Sequence, residues 1–132
     1  MISHNGKVLF TFDELEDPDT GTVTLAPGFA GNLKELRLEL NAPMIVNSCC
    51  RSRKYNAGSG GHPRSLHVWD EPFHPTNGTA AIDIHNRGQE YADRLIATAW
   101  RLGWSIGVGS NFTHLDRRSD YIDYDQTKFY YK

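Results

Sequence analysis

The stretch "SLHVWDEPFHPTNGTAAIDIH", residues 65–85, decides how the chain is read. Its last third, "AAIDI", is apolar and β-branched, as in a buried strand. Asp83 interrupts it between Ile82 and Ile84. A carboxylate in such a run is costly to bury unless a positive partner holds it. A metal ion would hold it, and the remaining ligands must then come from elsewhere in the chain. His67 in "SLHVW" and His114 in "FTHLD" are set in the same way, at or in short strand-like segments flanked by apolar residues. Two histidines and one carboxylate leave a fourth tetrahedral position open, which is the pattern of a catalytic zinc site. Zinc in such a site lowers the pKa of water to about 7 and polarises a carbonyl.

The segments around this stretch indicate an α+β domain. "TFDEL" has Thr11 and Glu14 at capping-box spacing and opens a short helix. Residues 17–28 are turn-rich and read as a loop. Phe29, Leu33, Leu36 and Leu40 recur at helical spacing over about 30–41, and Asn41 and Pro43 end that helix. "MIVN" is a short strand, and 51–64 is a polar, Gly-rich loop with room for one helical turn. Asn86 is expected to cap a second long helix, with Gln89 as its reciprocal partner. Ala92, Leu95, Ala99 and Leu102 form the apolar stripe of that helix, and Gly103 is its stop. "WSIGV" and "NFTHLD" are two further strands. The tail "YIDYDQTKFYYK" reads either as an edge strand or as a cover across the surface. The expected fold is a small, mostly antiparallel sheet with helices packed on one face, formed as one domain over 1–132.

Bulk properties narrow the function. At 132 residues the chain can bury a real core. A net charge of −2 provides no basic field for nucleic acid and no polybasic membrane patch. No apolar run reaches about 18 residues, so no membrane span is expected. "MISHNGKVLFTF" lacks the charged head and apolar run of a secretory signal, which suggests cytoplasmic synthesis. Cys49 and Cys50 are adjacent, a poor geometry for a disulfide, and read as packing residues in a reducing compartment.

Three segments, in order, resemble the D-alanyl-D-alanine metallopeptidases, the zinc family that shares its fold with the Hedgehog signalling domain. "SCCRSRKYN" is similar to the family's "SGYR-x-x-x-x-N". "SLH" followed by "GTAAIDI" is similar to its "S-x-H-x-x-G-x-A-x-D". "NFTHLDRR" is similar to its closing "F-V-H-V-D-x-R". "FTFDEL" resembles the entry to the small phage and bacterial branch. The resemblance covers about residues 8–118. It implies zinc as the cofactor, held by His67, Asp83 and His114, and peptidoglycan stem peptides as the substrate. It also implies that Arg51 contacts a substrate carbonyl or carboxylate, and that Ser65 supports the first ligand or touches substrate. The expected protein is a monomeric cell-wall carboxypeptidase or endopeptidase that acts on the wall after release or on a virion, as in a phage lysis enzyme.

The chain departs from the family pattern in several places. His67 and Asp83 are sixteen positions apart where the family has seven, so 70–78, "DEPFHPTNG", reads as an insertion. His74 within it is a further candidate ligand. Thr79 stands where the family has Gly. The positions where relatives carry a proton-transferring acid or histidine hold Asn111 and Phe112. Asp116, on the same strand face as His114, is then either the general base or the group that orients a ligand imidazole. Asp120 and His85 are fallback bases. The weakened base position leaves a second reading open, a non-catalytic module on the same fold, zinc-stabilised or part of a phage structure.

Overall fold

A computed structural model describes residues 1–131. In chain order the elements are β1 (Ile2–His4), β2 (Lys7–Phe10), α1 (Phe12–Leu15), α2 (Phe29–Leu40), β3 (Val46–Ser48), α3 (Arg53–Gly58), β4 (Ala81–His85), α4 (Gln89–Arg101), β5 (Ser105–Val108), β6 (Phe112–Asp116), α5 (Arg118–Tyr121) and β7 (Lys128–Tyr130). The α+β expectation holds. Five strands form a sheet in the order β3-β4-β6-β5-β7, in which only the β5–β7 pair is parallel. The tail is therefore an edge strand. β1 and β2 form a separate antiparallel hairpin. Among the described residues no helix is long and apolar enough to cross a membrane.

Strand alternation separates the two faces of the sheet. Ile82, Leu115 and Ile106 lie opposite one another on β4, β6 and β5, and all are fully buried. α4 packs against β5 and β6 through Leu95 and Ala99, and α2 packs on α4. Phe29 of α2 meets Trp104 edge-on, with ring centroids 5.6 Å apart. Fully burying an Ile or Leu contributes about 1.5–3 kcal/mol, so this side supplies the stability. The intervening register positions, Asp83, His114 and Gly107, fall on the other face.

Three local expectations need correction, and the helical turn allowed for in 51–64 is present. Asn86 does not cap α4. Gly88 holds the cap position, and the Asn86 amide oxygen instead accepts from Thr113 Oγ1 at 2.7 Å. Gln89 donates forward to Asp93 rather than back to a cap. The 51–64 loop contains α3, whose first turn is capped by Ser52 through a 3.0 Å bond from Tyr55 N. His67 lies in a turn, not a strand, and is followed by a single parallel bridge between Val68 and Arg51. The β1–β2 hairpin is absent from the sequence-based expectation, although Asn5–Gly6 is the usual two-residue hairpin turn. Both residues have positive φ, 49° and 79°. The capping box of α1, with Thr11 and Glu14, is present as read.

Candidate metal centre

The register of the sheet builds the site. Asp83 on β4 sits directly opposite His114 on β6. The third group arrives from outside the sheet. Arg51 and Val68 form a bridge in which Arg51 N donates to His67 O at 3.0 Å and Trp69 N donates to Arg51 O at 3.0 Å. This places the His67 ring against Asp83. Ser65 Oγ accepts from His67 N at 3.2 Å, and Thr79 Oγ1 donates to His67 O at 2.7 Å. Ser65 thus supports the turn that carries His67. The hydroxyl of Thr79 gives a local reason for its presence where the resemblance expects Gly.

Ligand atoms of His67, Asp83 and His114 lie within 4.8 Å of one another, and all three residues are buried. His67 Nε2 is 3.1 Å and His114 Nδ1 is 2.9 Å from Asp83 Oδ1. A tetrahedral zinc with ligands at about 2.0–2.2 Å holds its donors roughly 3.3–3.6 Å apart, close to these separations.

The outward atoms of the same groups are also occupied. His67 Nδ1 is 2.7 Å from Cys49 O. A carbonyl oxygen only accepts, so Nδ1 carries the proton. Burial lowers the His67 pKa, only partly offset by Asp83, and the neutral ring is favoured. Its Nε2 lone pair then faces a carboxylate oxygen with no proton between them. A cation at that point resolves the contact, and this donor set suits zinc. His114 Nε2 donates to Asp116 Oδ2 at 2.8 Å, the carboxylate–histidine pairing that stands behind many metal ligands. Asp83 Oδ2 accepts from Arg51 Nη2 at 3.0 Å.

Charge follows from this wiring. Burial opposes ionisation of Asp83, but His67, His114 and their hydrogen bonds outweigh it and hold the carboxyl well below its usual range. Burial likewise opposes charge on His114, yet hydrogen bonds to Asp116 and Asp83 push its pKa up to about 9. Asp116 is destabilised by burial but pulled down to about 2 by His114 and Arg118. A ligating His114 must release its Nδ1 proton. Between about pH 6.5 and 9 each metal bound is therefore expected to release one proton, so affinity falls about tenfold per pH unit on acidification. Competition with a chromophoric chelator across that range measures the slope.

Asp116 is buried and carries a full set of partners. Besides His114, Arg118 donates to Oδ1 from N and Nε, each at 3.0 Å, and to Oδ2 from Nη2 at 2.7 Å. Arg51 donates to Ser48 Oγ at 2.9 Å, Asn56 Oδ1 at 3.3 Å and Asp83 Oδ2 at 3.0 Å. A guanidinium has five N–H donors, so two remain for a ligand. Arg51 also lines a cavity of about 390 Å³ with Ser48, Cys49, Tyr55 and the carboxylates of α1. Other candidates lie apart. His74 is outside the cluster, with Nε2 on Arg64 O inside the 70–78 loop. His85 is exposed at the end of β4, and Asp120 pairs with Arg117. Asn111 sits in the turn before β6, where its carbonyl accepts from Asn86 N, and Phe112 packs on Tyr131.

The comparison that decides the family is a profile match. The Peptidase M15 profile matches residues 8–116. The chain belongs to the Peptidase M15 family. This is the D-Ala-D-Ala zinc metallopeptidase family of the resemblance, and the mixed sheet with its helices agrees with the M15 fold. No curated protein matches the chain. The M15 match spans all three cluster residues and Arg51, and ends at Asp116. Three features of the cluster were not read from the sequence. Ser48 and Asn56 aim Arg51, and the Cys49 carbonyl fixes the His67 tautomer. Asn56 was within reach, since the "R-x-x-x-x-N" spacing contains it. A backbone carbonyl leaves no signal in a sequence.

Proposed function

We propose that this M15 chain is a zinc-dependent peptidase that cleaves peptide stems of bacterial peptidoglycan, acting as a monomer. The observation that carries the reading is the wiring of the cluster. Three donor atoms converge, and the other polar atom of each group is committed elsewhere: to Cys49 O, to Asp116 and to Arg51. Zinc, when bound, supplies the Lewis acidity that activates water and polarises the scissile carbonyl.

The remaining work falls to the chain. His67 and His114 present lone pairs from fixed tautomers. Asp83 supplies the negative charge and ties the cluster to Arg51. The two free N–H groups of Arg51 suit a substrate carbonyl, a terminal carboxylate or a developing oxyanion. Of the two roles open to Asp116, its burial and partners favour orienting His114 over exchanging protons with substrate. Ser65 acts on the His67 turn rather than on substrate.

Asp116→Asn tests that assignment. The amide can donate to Nε2 and so place the proton on Nδ1, the wrong tautomer for a ligand. Zinc affinity is expected to fall about 10–100-fold, with the fold retained by circular dichroism. Unchanged affinity would return Asp116 to the base role.

A second reading has one observation behind it. Asn111 and Phe112 occupy the places where relatives carry an acid or histidine, which suits a zinc-stabilised module that binds wall peptides without cutting them. Digestion separates the two. Zinc-loaded protein is incubated with muropeptides and the products are weighed by mass spectrometry. The peptidase reading expects fragments whose masses identify the bond cut. Intact peptides across pH, with one zinc per chain, would overturn it in favour of the binding module.

A further inference from the structure

The C-terminal aromatic segment forms one wall of this centre. A register row crosses the site face: Ser48 on β3, Asp83 on β4, His114 on β6, Gly107 on β5 and Phe129 on β7. Strands are spaced about 4.8 Å apart, so the wall lies within two strand spacings of His114. The Phe129 ring centroid is 5.9 Å from that of His114. Tyr131 meets His114 edge-on at 6.4 Å and Phe129 at 5.3 Å. Tyr131 N donates to Val108 O at 2.9 Å, which fixes the segment in place. Gly107 makes the room. A Cβ there would come within 2.7 Å of both the Phe129 and Tyr131 rings. Yet Tyr131 is 48% exposed, so about half of it faces outward beside a buried ligand.

We infer that Tyr131 is a substrate-contacting specificity residue, its ring packing against the substrate residue on the side of the scissile bond away from Arg51. The inference rests on the peptidase reading. Arg51 and Tyr131 stand on opposite sides of the ligand row, with Arg51 paired to Asp83 and Tyr131 against His114. A peptide laid along the row meets a cation at one end and an aromatic wall at the other. Tyr131 lies outside the M15 match, which ends at residue 116. The wall therefore lies beyond the matched region. The substrate group it suits is a small apolar side chain or an aliphatic stem, which packs on an aromatic face without a hydrogen bond.

The test uses zinc-loaded wild type, Tyr131→Ala and Tyr131→Phe. Binding of a phosphinate isostere of an alanyl-alanine peptide is measured by calorimetry, beside kcat and KM on a stem peptide and zinc content. Tyr131→Ala is expected to keep one zinc per chain, raise Kd and KM about tenfold and leave kcat within about twofold, as lost aromatic packing does. Tyr131→Phe is expected to match wild type. Kd and KM of Tyr131→Ala equal to wild type would overturn the inference and leave the peptidase reading standing. Loss of zinc in Tyr131→Ala would also overturn it, since the wall would then serve His114 instead of substrate. A wild type that neither binds the isostere nor cuts the peptide would overturn the peptidase reading, and the inference with it.

Discussion

Asp83→Ala is expected to bind no zinc at neutral pH and to lose at least about 10³-fold in peptide cleavage, since the metal's contribution is several kcal/mol. The carboxylate has three jobs. It is the proposed anionic ligand, it accepts from His114 Nδ1 at 2.9 Å while that nitrogen is protonated, and it pairs with Arg51 at 3.0 Å. Its removal leaves two neutral imidazoles as ligands and a guanidinium beside them, which repels a divalent cation. It also removes one of the bonds that raise the His114 pKa, so that pKa is expected to fall from about 9. NMR titration of the imidazole reads this change without reference to activity. Asp83→Asn keeps the shape and is expected to stay folded with weakened zinc binding. Full zinc content in Asp83→Ala would remove the carboxylate from the ligand set.

Arg51→Ala is expected to keep zinc and to lose about 10²–10³-fold in kcat/KM, the usual cost of removing a preorganised donor from developing charge. Three of its N–H groups are anchored by Ser48, Asn56 and Asp83, so the guanidinium that is proposed to meet substrate is held in one orientation. Arg51→Lys is expected to rescue little, because an ammonium cannot hold those three partners and also offer a fork. Steady-state kinetics on a stem peptide, with zinc measured on the same samples, checks both points. Zinc lost together with activity would instead make Arg51 a support for Asp83.

The candidate metal cluster was legible because burial of charge is expensive. A carboxylate between Ile82 and Ile84 needs a reason, and two more candidate ligands in apolar settings supplied it. The period-2 alternation of the "FTHLD" strand likewise put Asp116 on the face of His114. What escaped the sequence was local competition for polar groups. Asn86 looks like a helix cap, but Thr113 on the neighbouring strand takes its side chain, and Gly88 opens α4 instead. His67 reaches the site through a turn and a one-residue bridge, which no periodicity announces. The role of Asp116 depended on Arg118, two residues on, whose backbone N, Nε and Nη2 all turn onto its carboxylate. The parallel pairing of β7 with β5 depended on Gly107, where the absence of a side chain admits two aromatic rings.

The most direct test of the central claim is the zinc content of wild-type protein purified without chelator, measured by elemental analysis. The wiring of His67, Asp83 and His114 predicts about one zinc per chain, released as the pH falls through the range in which His114 and then His67 take up protons. Protein that is folded, carries no zinc and takes up none at pH 8 would contradict the account. Asp83 would then be held by Arg51 and the two histidines alone, and the chain would keep the M15 fold without its chemistry.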